Sequence, residues 1–310
     1  RDTMSAVEIQ GLTKAYGGAV VVDDVSFSVA EGEIFGIVGP NGAGKTTTVE
    51  SVAGLRVPDA GTIRVLGLDP IKDRYEVTEL LGVQLQESRL QDRIKVREAL
   101  ELHASFYQAP RDWHELAATL DLEDRLSVRY KDLSGGQKQR LAVALALIGS
   151  PRIAILDELT TGLDPQARRS TWDTVERIRD EGTTVVLVTH FMEEAERLCD
   201  RIMVVDGGRV SAINTPEGLV AGIGGTQLLR FRPSESVPSD ELLALGDVAG
   251  ASRRGQEIVV TGGDEMVQQV TAFLAHRGVI AHGLRVEATN LEDAYLELTK
   301  RTNEKQEATR

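Results

Sequence analysis

The stretch IFGIVGPNGAGKTTTVE, residues 34–50, joins a buried-strand pattern to a helix pattern through a glycine-rich loop. Its centre, GPNGAGKT, fits the pattern G-x(4)-G-K-[ST] of a phosphate-binding loop. A glycine-rich turn with an exposed lysine is the plainer interpretation, but a chance match has a probability of roughly a few per cent. The stretch therefore predicts a P-loop nucleotide-binding fold.

In such a loop the backbone amides surround phosphate oxygens, Lys45 neutralises the β and γ phosphates, and Thr46 gives an oxygen to Mg²⁺. The residues predicted to bind the nucleotide here are Gly39, Pro40, Asn41, Gly42, Ala43, Gly44, Lys45, Thr46 and Thr47.

A second strand pattern, IAILDE at residues 153–158, ends in two carboxylates. Beside a phosphate loop, Asp157 can hold the metal directly or through water, and Glu158 can polarise a water that attacks the γ-phosphate. General-base help of this kind is typically worth about 10²–10⁴ in rate. The alternative is that Glu158 only caps or pairs at the strand end.

A second glycine-rich segment, LSGGQ at residues 133–137, precedes another helix pattern. Adjacent glycines let backbone N–H groups approach an anion, and the positive end of the helix adds to the attraction. The segment raises the question of which anion it meets, since the phosphate loop lies far upstream.

With these three motifs in their order, the chain resembles the nucleotide-binding subunit of an ATP-binding cassette (ABC) transporter over about residues 7–219. The resemblance implies that two cassettes pair head to tail as a homodimer with ATP at the interface. Ser134, Gly135, Gly136 and Gln137 of one subunit would then face the γ-phosphate bound by the other. ATP and Mg²⁺ are the cofactors implied.

The resemblance implies roles for four further residues. Tyr16 matches the aromatic that stacks on adenine, although a tyrosine near a strand end also often serves packing. Asp164, in TTGLDP, matches a loop aspartate that contacts the opposite subunit. His190, at the end of VVLVTH, matches the histidine that reaches the γ-phosphate. These residues complete the predicted site with the glutamine described next.

Gln86 matches the glutamine that senses Mg²⁺ and faces the membrane partner. Leu85 stands where proline is common, and Gln84 lies close by, so the assignment is open by one or two positions. A solvated loop glutamine is the alternative.

Two further features lie after the acidic strand. Leu159 stands where the family usually has proline, which leaves the carboxylate in place and alters loop stiffness at most. The pair Arg168 and Arg169 indicates a solvated helix face.

The fold class predicted is α/β: a P-loop ATPase cassette, with a RecA-like core and antiparallel β and helical subdomains, followed by a small C-terminal α+β appendage. The cassette is placed at residues 6–222, with its helical subdomain at about 87–149. The appendage is placed at 226–302 and a polar tail at 303–310.

Composition bounds the partners. The chain has 310 residues, with 35 Lys plus Arg against 48 Asp plus Glu and a net charge of −13, which argues against nucleic acid. The single cysteine, Cys199, excludes an internal disulfide, and no apolar run approaches the roughly 20 residues of a membrane span. We expect a peripheral protein at the cytoplasmic face of the membrane, with the spans supplied by a separate permease subunit.

The motifs look most like the bacterial exporter ATPases that include antibiotic and daunorubicin-type resistance pumps. The leading hypothesis is an ATP hydrolase that drives export of a drug, antibiotic or lipid-like compound. A soluble ABC ATPase acting on ribosomes or nucleic acid is the second hypothesis, and a mainly regulatory or dimer-forming module is the third.

Overall fold

The structure is a computed structural model and describes residues 5–85, 90–222, 227–288 and 290–307. It divides into two compact units, Arg1–Ile213 and Asn214–Arg310.

The first unit contains strands and helices in alternation. In chain order they are β1 (Ser5–Tyr16), β2 (Ala19–Ala30), β3 (Ile34–Val38), α1 (Lys45–Val52), β4 (Ala60–Val65), α2 (Arg74–Leu80), β5 (Leu81–Gln84), α3 (Val96–Ala104), α4 (Trp113–Thr119), α5 (Gly135–Leu147), β6 (Ile153–Asp157), α6 (Pro165–Asp180), β7 (Thr184–Thr189), α7 (Met192–Leu198), β8 (Arg201–Asp206) and β9 (Arg209–Asn214).

The central sheet has six strands in the order β5-β6-β7-β3-β8-β9. Strands β3, β6 and β7 are buried along their whole length, as is usual for parallel strands covered on both faces. The carboxyl ends of adjacent parallel strands meet at one edge of a sheet, where ligands bind in open α/β folds. At this edge lie the phosphate loop after β3, the carboxylates of Asp157 and Glu158 at the end of β6, and His190 after β7.

A three-stranded antiparallel sheet, in the order β2-β1-β4, packs on the central sheet. The rings of Phe27 and Phe35 stack between the two sheets, with their centroids 5.3 Å apart. Helices α3, α4 and α5 lie within the segment predicted as helical. The predicted cassette architecture is confirmed.

One sequence-based expectation for this unit is wrong. The sequence pattern of residues 75–130 predicts helices throughout. Residues 81–84 instead form strand β5, which pairs in parallel with β6. The strand has only four residues, of which three are buried, and is too short to show a periodicity of its own. Its structure is determined by pairing with β6.

The second unit contains a four-stranded antiparallel sheet in the order β11-β12-β10-β13. Its elements are α8 (Pro216–Gly222), β10 (Gln227–Pro233), α9 (Ser239–Leu243), β11 (Val248–Arg254), β12 (Glu257–Gly262), α10 (Met266–His276), β13 (Ala281–Ala288) and α11 (Leu291–Glu307). Its core includes Phe231, Val260 and Val270.

The unit boundary differs from the predicted domain boundary. Helix α8, which the sequence placed in the cassette, packs against α11 and so belongs to the second unit. Helix α11 continues to Glu307, into the segment expected to be a tail. In the described parts of the chain, no helix combines the length and the apolar character needed to cross a membrane.

Candidate functional site

The phosphate loop is shaped by two glycines that no other residue could replace without displacement. A Cβ atom on Gly39 would collide with the carbonyl oxygen of Val205. A Cβ atom on Gly44 would lie 2.6 Å from the carbonyl oxygen of Val21, and Gly44 has a φ of +91°. The loop therefore closes tightly against its neighbours and turns directly into α1 at Lys45.

Lys45 is held back over this loop. Its Nζ donates hydrogen bonds to the carbonyl oxygens of Gly39 at 2.8 Å and of Pro40 at 2.9 Å. Burial lowers the pKa of Lys45, and the nearby carboxylates of Glu158 and Asp157 oppose that shift. A buried ammonium next to a glycine-rich loop is a site prepared for an anion.

A cleft of about 320 Å³ opens over the loop. It is lined by Val21, Asn41, Gly42, Gly44, Lys45, Thr46, Thr47 and Glu158. Six of the nine predicted phosphate-binding residues therefore share one cavity with Glu158.

Asp157 lies beneath this cleft and is fully buried. Its Oδ2 accepts a hydrogen bond from Thr46 Oγ1 at 3.1 Å, whereas its Oδ1 has no hydrogen-bond partner among the described residues. Burial raises the pKa of Asp157 to about 6, the Thr46 hydrogen bond opposes the shift, and the Glu158 carboxylate adds to it. A carboxylate in this state is under-coordinated.

Glu158 has an unusual backbone for a residue with a side chain, with a φ of +51°. Its N–H donates to the Val188 carbonyl at 2.8 Å, which ties it to the end of β7. Its Oε1 lies 3.3 Å from His190 Nδ1, and its side chain is 8% exposed. The left-handed turn at the strand end thus directs this carboxylate into the cleft beside the histidine.

The second glycine-rich segment forms the start of α5. Ser134 Oγ accepts from Gln137 N at 3.3 Å and Ser134 N donates to Gln137 Oε1 at 3.0 Å, which is a capping box. Gln137 is thereby occupied in capping. The backbone of Gly136 approaches α6 so closely that a Cβ atom would lie 3.3 Å from that of Ala167.

A second cleft, of about 330 Å³, opens at this helix start. It is lined by Ser134, Gly135, Gly136, Arg140, Gly162, Leu163, Asp164, Gln166, Ala167, Ser170 and Thr171. None of these residues lines the cleft over the phosphate loop. Within one chain, the two glycine-rich segments therefore serve separate cavities.

Two of the remaining predicted residues are placed as follows. Tyr16 ends β1 and is 40% exposed, with the cationic groups of Lys14 and Arg56 at 5.6 and 5.8 Å from its ring centroid. Asp164 is the N-cap of α6, and its Oδ1 accepts from the N–H groups of Gln166 and Ala167 at 3.0 Å each.

Gln86 lies outside the described residues. The neighbouring Gln84 is buried at the end of β5, where its Nε2 donates to the Leu85 carbonyl at 3.0 Å. Leu159, at the position where proline was expected, is fully buried.

Sequence reasoning was wrong about Arg168 and overlooked Phe191. Arg168 does not lie on a solvated face: its Nε is buried, and its guanidinium lies over the Phe191 ring with Cζ 4.4 Å from the centroid. Arg169 is exposed, as expected. The available signal was an aromatic residue directly after His190.

A phosphate loop and an acidic strand end on one parallel sheet, with a separate glycine-rich helix start, define a P-loop nucleotide-binding cassette. In comparisons with known proteins, the family model described as ABC transporter matches residues 22–161.

Full-length relatives extend the match. The "Nod factor export ATP-binding protein I" of Paraburkholderia xenovorans is 40% identical, and the alignment covers 96% of this chain and 98% of that one. The protein of the same name from Rhizobium etli is 36% identical, with 97% and 96% covered.

Solved structures agree with the fold. An ATP-binding subunit of an ABC transporter has a TM-score of 0.64 at 29% identity, with 70% of this chain and 92% of that chain covered. A dimeric bacterial ABC transporter cassette has a TM-score of 0.62 at 28% identity, with 67% and 98% covered.

The chain belongs to the ABC transporter family, as an ATP-binding subunit, and is an ATP hydrolase of the transporter type. The narrower resemblance to drug-resistance pumps is not confirmed, because the relatives carry the name of Nod factor exporters.

Proposed function

We propose that this protein powers an exporter from the cytoplasmic face of the membrane, by closing two copies of itself around ATP. The observation that carries the proposal is the separation of the two clefts. Each chain offers a phosphate loop with a carboxylate and, elsewhere, a glycine-rich helix start with no phosphate loop of its own. In a head-to-tail pair, the phosphate cleft of each copy would face the glycine-rich helix start of the other copy.

In the proposed site the triphosphate lies along residues 39–47, with the amides of the loop and the Lys45 ammonium against its oxygens. Glu158, directed into the cleft by its left-handed backbone, orients the attacking water and takes up its proton. His190, beside Glu158, reaches the terminal phosphate, and Tyr16 offers its exposed ring to the adenine. Ser134, Gly135 and Gly136 of the opposite copy close over the terminal phosphate.

Magnesium fits the residues present. The unpaired Oδ1 of buried Asp157 and the adjacent Thr46 hydroxyl are hard oxygen donors of the kind that Mg²⁺ prefers, and Gln86 is the third proposed ligand. When bound, the ion would neutralise charge that builds on the phosphate oxygens during transfer.

The export direction and the transported compound rest on resemblance. The similar proteins named above are Nod factor exporters, so we propose that this chain also serves an export system, for a lipid-like compound, drug or antibiotic. A separate permease subunit would provide the membrane spans and the substrate site. The alternative of a soluble ABC ATPase on ribosomes or nucleic acid is not favoured, because the relatives that match over nearly the whole chain are export subunits.

The catalytic assignment is tested by Glu158→Gln. We expect the variant to bind ATP as tightly as the unchanged protein and to lose at least about 100-fold in turnover, because the general base is gone. The matched control is Glu196→Gln, which removes an exposed carboxylate from α7 and should leave turnover unchanged. Full turnover in Glu158→Gln would refute the assignment.

The export assignment is tested separately by co-purification. The protein is isolated with bound ATP from native membranes in mild detergent, and its partners are identified. A stoichiometric multi-span protein supports the exporter, whereas ribosomal or nucleic-acid material without such a protein would contradict it.

A further inference from the structure

Two side chains, Phe191 and Arg168, follow one another in contact behind the pair formed by Glu158 and His190. The His190 and Phe191 rings lie with their centroids 4.1 Å apart and their planes tilted by 39°. On the Phe191 ring lies the guanidinium of Arg168, with Cζ 4.4 Å from the centroid. His190 Nδ1 in turn lies 3.3 Å from Glu158 Oε1. The contacts thus run from α6 to the carboxylate that faces the phosphate cleft.

Arg168 stands on a helix turn that is itself well fixed. Asp164 caps the turn through the N–H groups of Gln166 and Ala167, and the Arg168 N–H bonds back to the Asp164 carbonyl at 3.0 Å. Ala167 is in close approach to Gly136 of the neighbouring helix α5. The backbone that carries Arg168 is therefore held in place at the start of α6.

A hydrogen bond at Nε does not explain the position of Arg168. Its Nε is buried and has no hydrogen-bond partner among the described residues, and leaving a buried donor unpaired is unfavourable. The contact that offsets this loss is the ring face of Phe191, since a guanidinium within about 6 Å of an aromatic centroid is attracted by the ring quadrupole. The arginine is thus placed to hold the phenylalanine.

We propose that Arg168 and Phe191 are positioning residues for hydrolysis, which hold the His190 imidazole against Glu158. This inference rests on the proposed function, because it assigns His190 a part in turnover. His190 is 35% exposed and, besides its contact to Glu158, is supported on its ring face by Phe191. Without the stack, the imidazole would sample other rotamers and the catalytic pair would be formed only part of the time.

The first test is Arg168→Ala. We expect kcat for ATP to fall about threefold to tenfold while KM changes less than about twofold, because the change loosens a cation–π contact that acts through a catalytic group. Arg168→Lys, which keeps a cation over the ring, should recover part of the loss. Arg169→Ala, the neighbouring exposed arginine, is the matched control and should leave kcat unchanged.

A double-mutant cycle distinguishes positioning from a general structural role. In a His190→Ala background the arginine has nothing to position, so Arg168→Ala should cause no further loss of kcat. An equal loss in both backgrounds would overturn the proposal. Phe191→Leu repeats the cycle from the side of the ring, with Phe191→Tyr as its conservative control. If Arg168→Ala strongly lowers the melting temperature, the Phe191 cycle is the one that tests the positioning role.

The same experiment separates the inference from the function beneath it. Glu158→Gln and His190→Ala alone report on the proposed function: if both keep full turnover, the assignment of the catalytic pair and the positioning proposal fall together. If both lose turnover while Arg168→Ala and Phe191→Leu do not, the positioning proposal alone is overturned.

Discussion

At the scale of single residues, the carboxyl group of Asp157 lies in an environment unfavourable to its charged form. It is fully buried, one of its oxygens lacks a hydrogen-bond partner among the described residues, and its pKa stands at about 6 instead of the ordinary 3.8. Ionisation at this position costs free energy until a cation arrives. A buried carboxylate with a strongly raised pKa is typical of a functional site, such as one that binds a metal.

The pKa of Asp157 predicts a pH dependence of stability. Because the folded pKa is the higher one, the stabilising effect of the protonated form is complete below about pH 4 and is lost as the pH rises through 6. Asp157→Asn removes this loss and keeps a hydrogen-bond acceptor for Thr46. In EDTA and without nucleotide, we expect the variant to gain up to about 3 kcal/mol in unfolding free energy at pH 7 and close to nothing at pH 4.

Urea unfolding at several pH values measures this difference. A gap of the same size at pH 4 and pH 7, or a variant that is less stable than the unchanged protein at pH 7, would contradict the electrostatic account of Asp157.

The sequence was informative at this scale wherever function depends on neighbours along the chain. That Thr46, Asp157 and Glu158 lie close together could be predicted, because a loop and a strand end carry them in fixed local patterns. The contact between Arg168 and Phe191 could not be predicted, because it joins α6 to the residue that precedes α7, and the sequence pattern does not reveal how these segments pack. Asp164 shows the intermediate case: its motif marked it, but its capping role emerged from the structure.

At the scale of elements, α6 contacts both the glycine-rich start of α5 and the residue that follows His190. It begins at Pro165 after the Asp164 cap, contacts Gly136 through Ala167 and carries Arg168 against Phe191. Both contacts are made from the first turn of α6, so both depend on that turn being formed.

The Asp164 cap gives a prediction for this helix. Asp164→Ala should lower the unfolding free energy by about 0.5–2 kcal/mol, because two backbone N–H groups lose their acceptor. Asp164→Asn keeps a capping oxygen and should retain the stability of the unchanged protein. Thermal unfolding of both variants checks this, and equal losses would show that the cap is not what Asp164 contributes to the fold.

Turnover of Asp164→Asn, once its stability is known, reports on the separate prediction that the carboxylate contacts the opposite subunit. A stable variant with reduced turnover fits that contact, and a stable variant with full turnover contradicts it.

Elements that the sequence did not reveal are short or depend on partners. Strand β5 has four residues, helix α9 has five, and β11 carries small and charged residues in place of a clear alternation. Each is formed by pairing or packing with elements distant in the chain. The fully buried strands β3, β6 and β7 were predictable although they have only five or six residues, because two covered faces require a continuous apolar run.

At the scale of the whole molecule, the chain carries two separate clefts, one over the phosphate loop and one at the start of α5. The family is built of ATP-binding cassettes, and a similar solved cassette is described as dimeric. The net charge of −13 did not predict these two clefts, because a charge count does not show where clefts lie.

The closure of two copies around ATP is tested by measuring the mass of Glu158→Gln in solution, by light scattering, with and without ATP. We expect a dimer with ATP and a monomer without nucleotide. Adding Ser134→Asp, which keeps the helix cap but places a negative charge at the helix start, should leave ATP bound and prevent dimerisation. A Glu158→Gln protein that stays monomeric with ATP bound, or a dimer that tolerates Ser134→Asp, would contradict it.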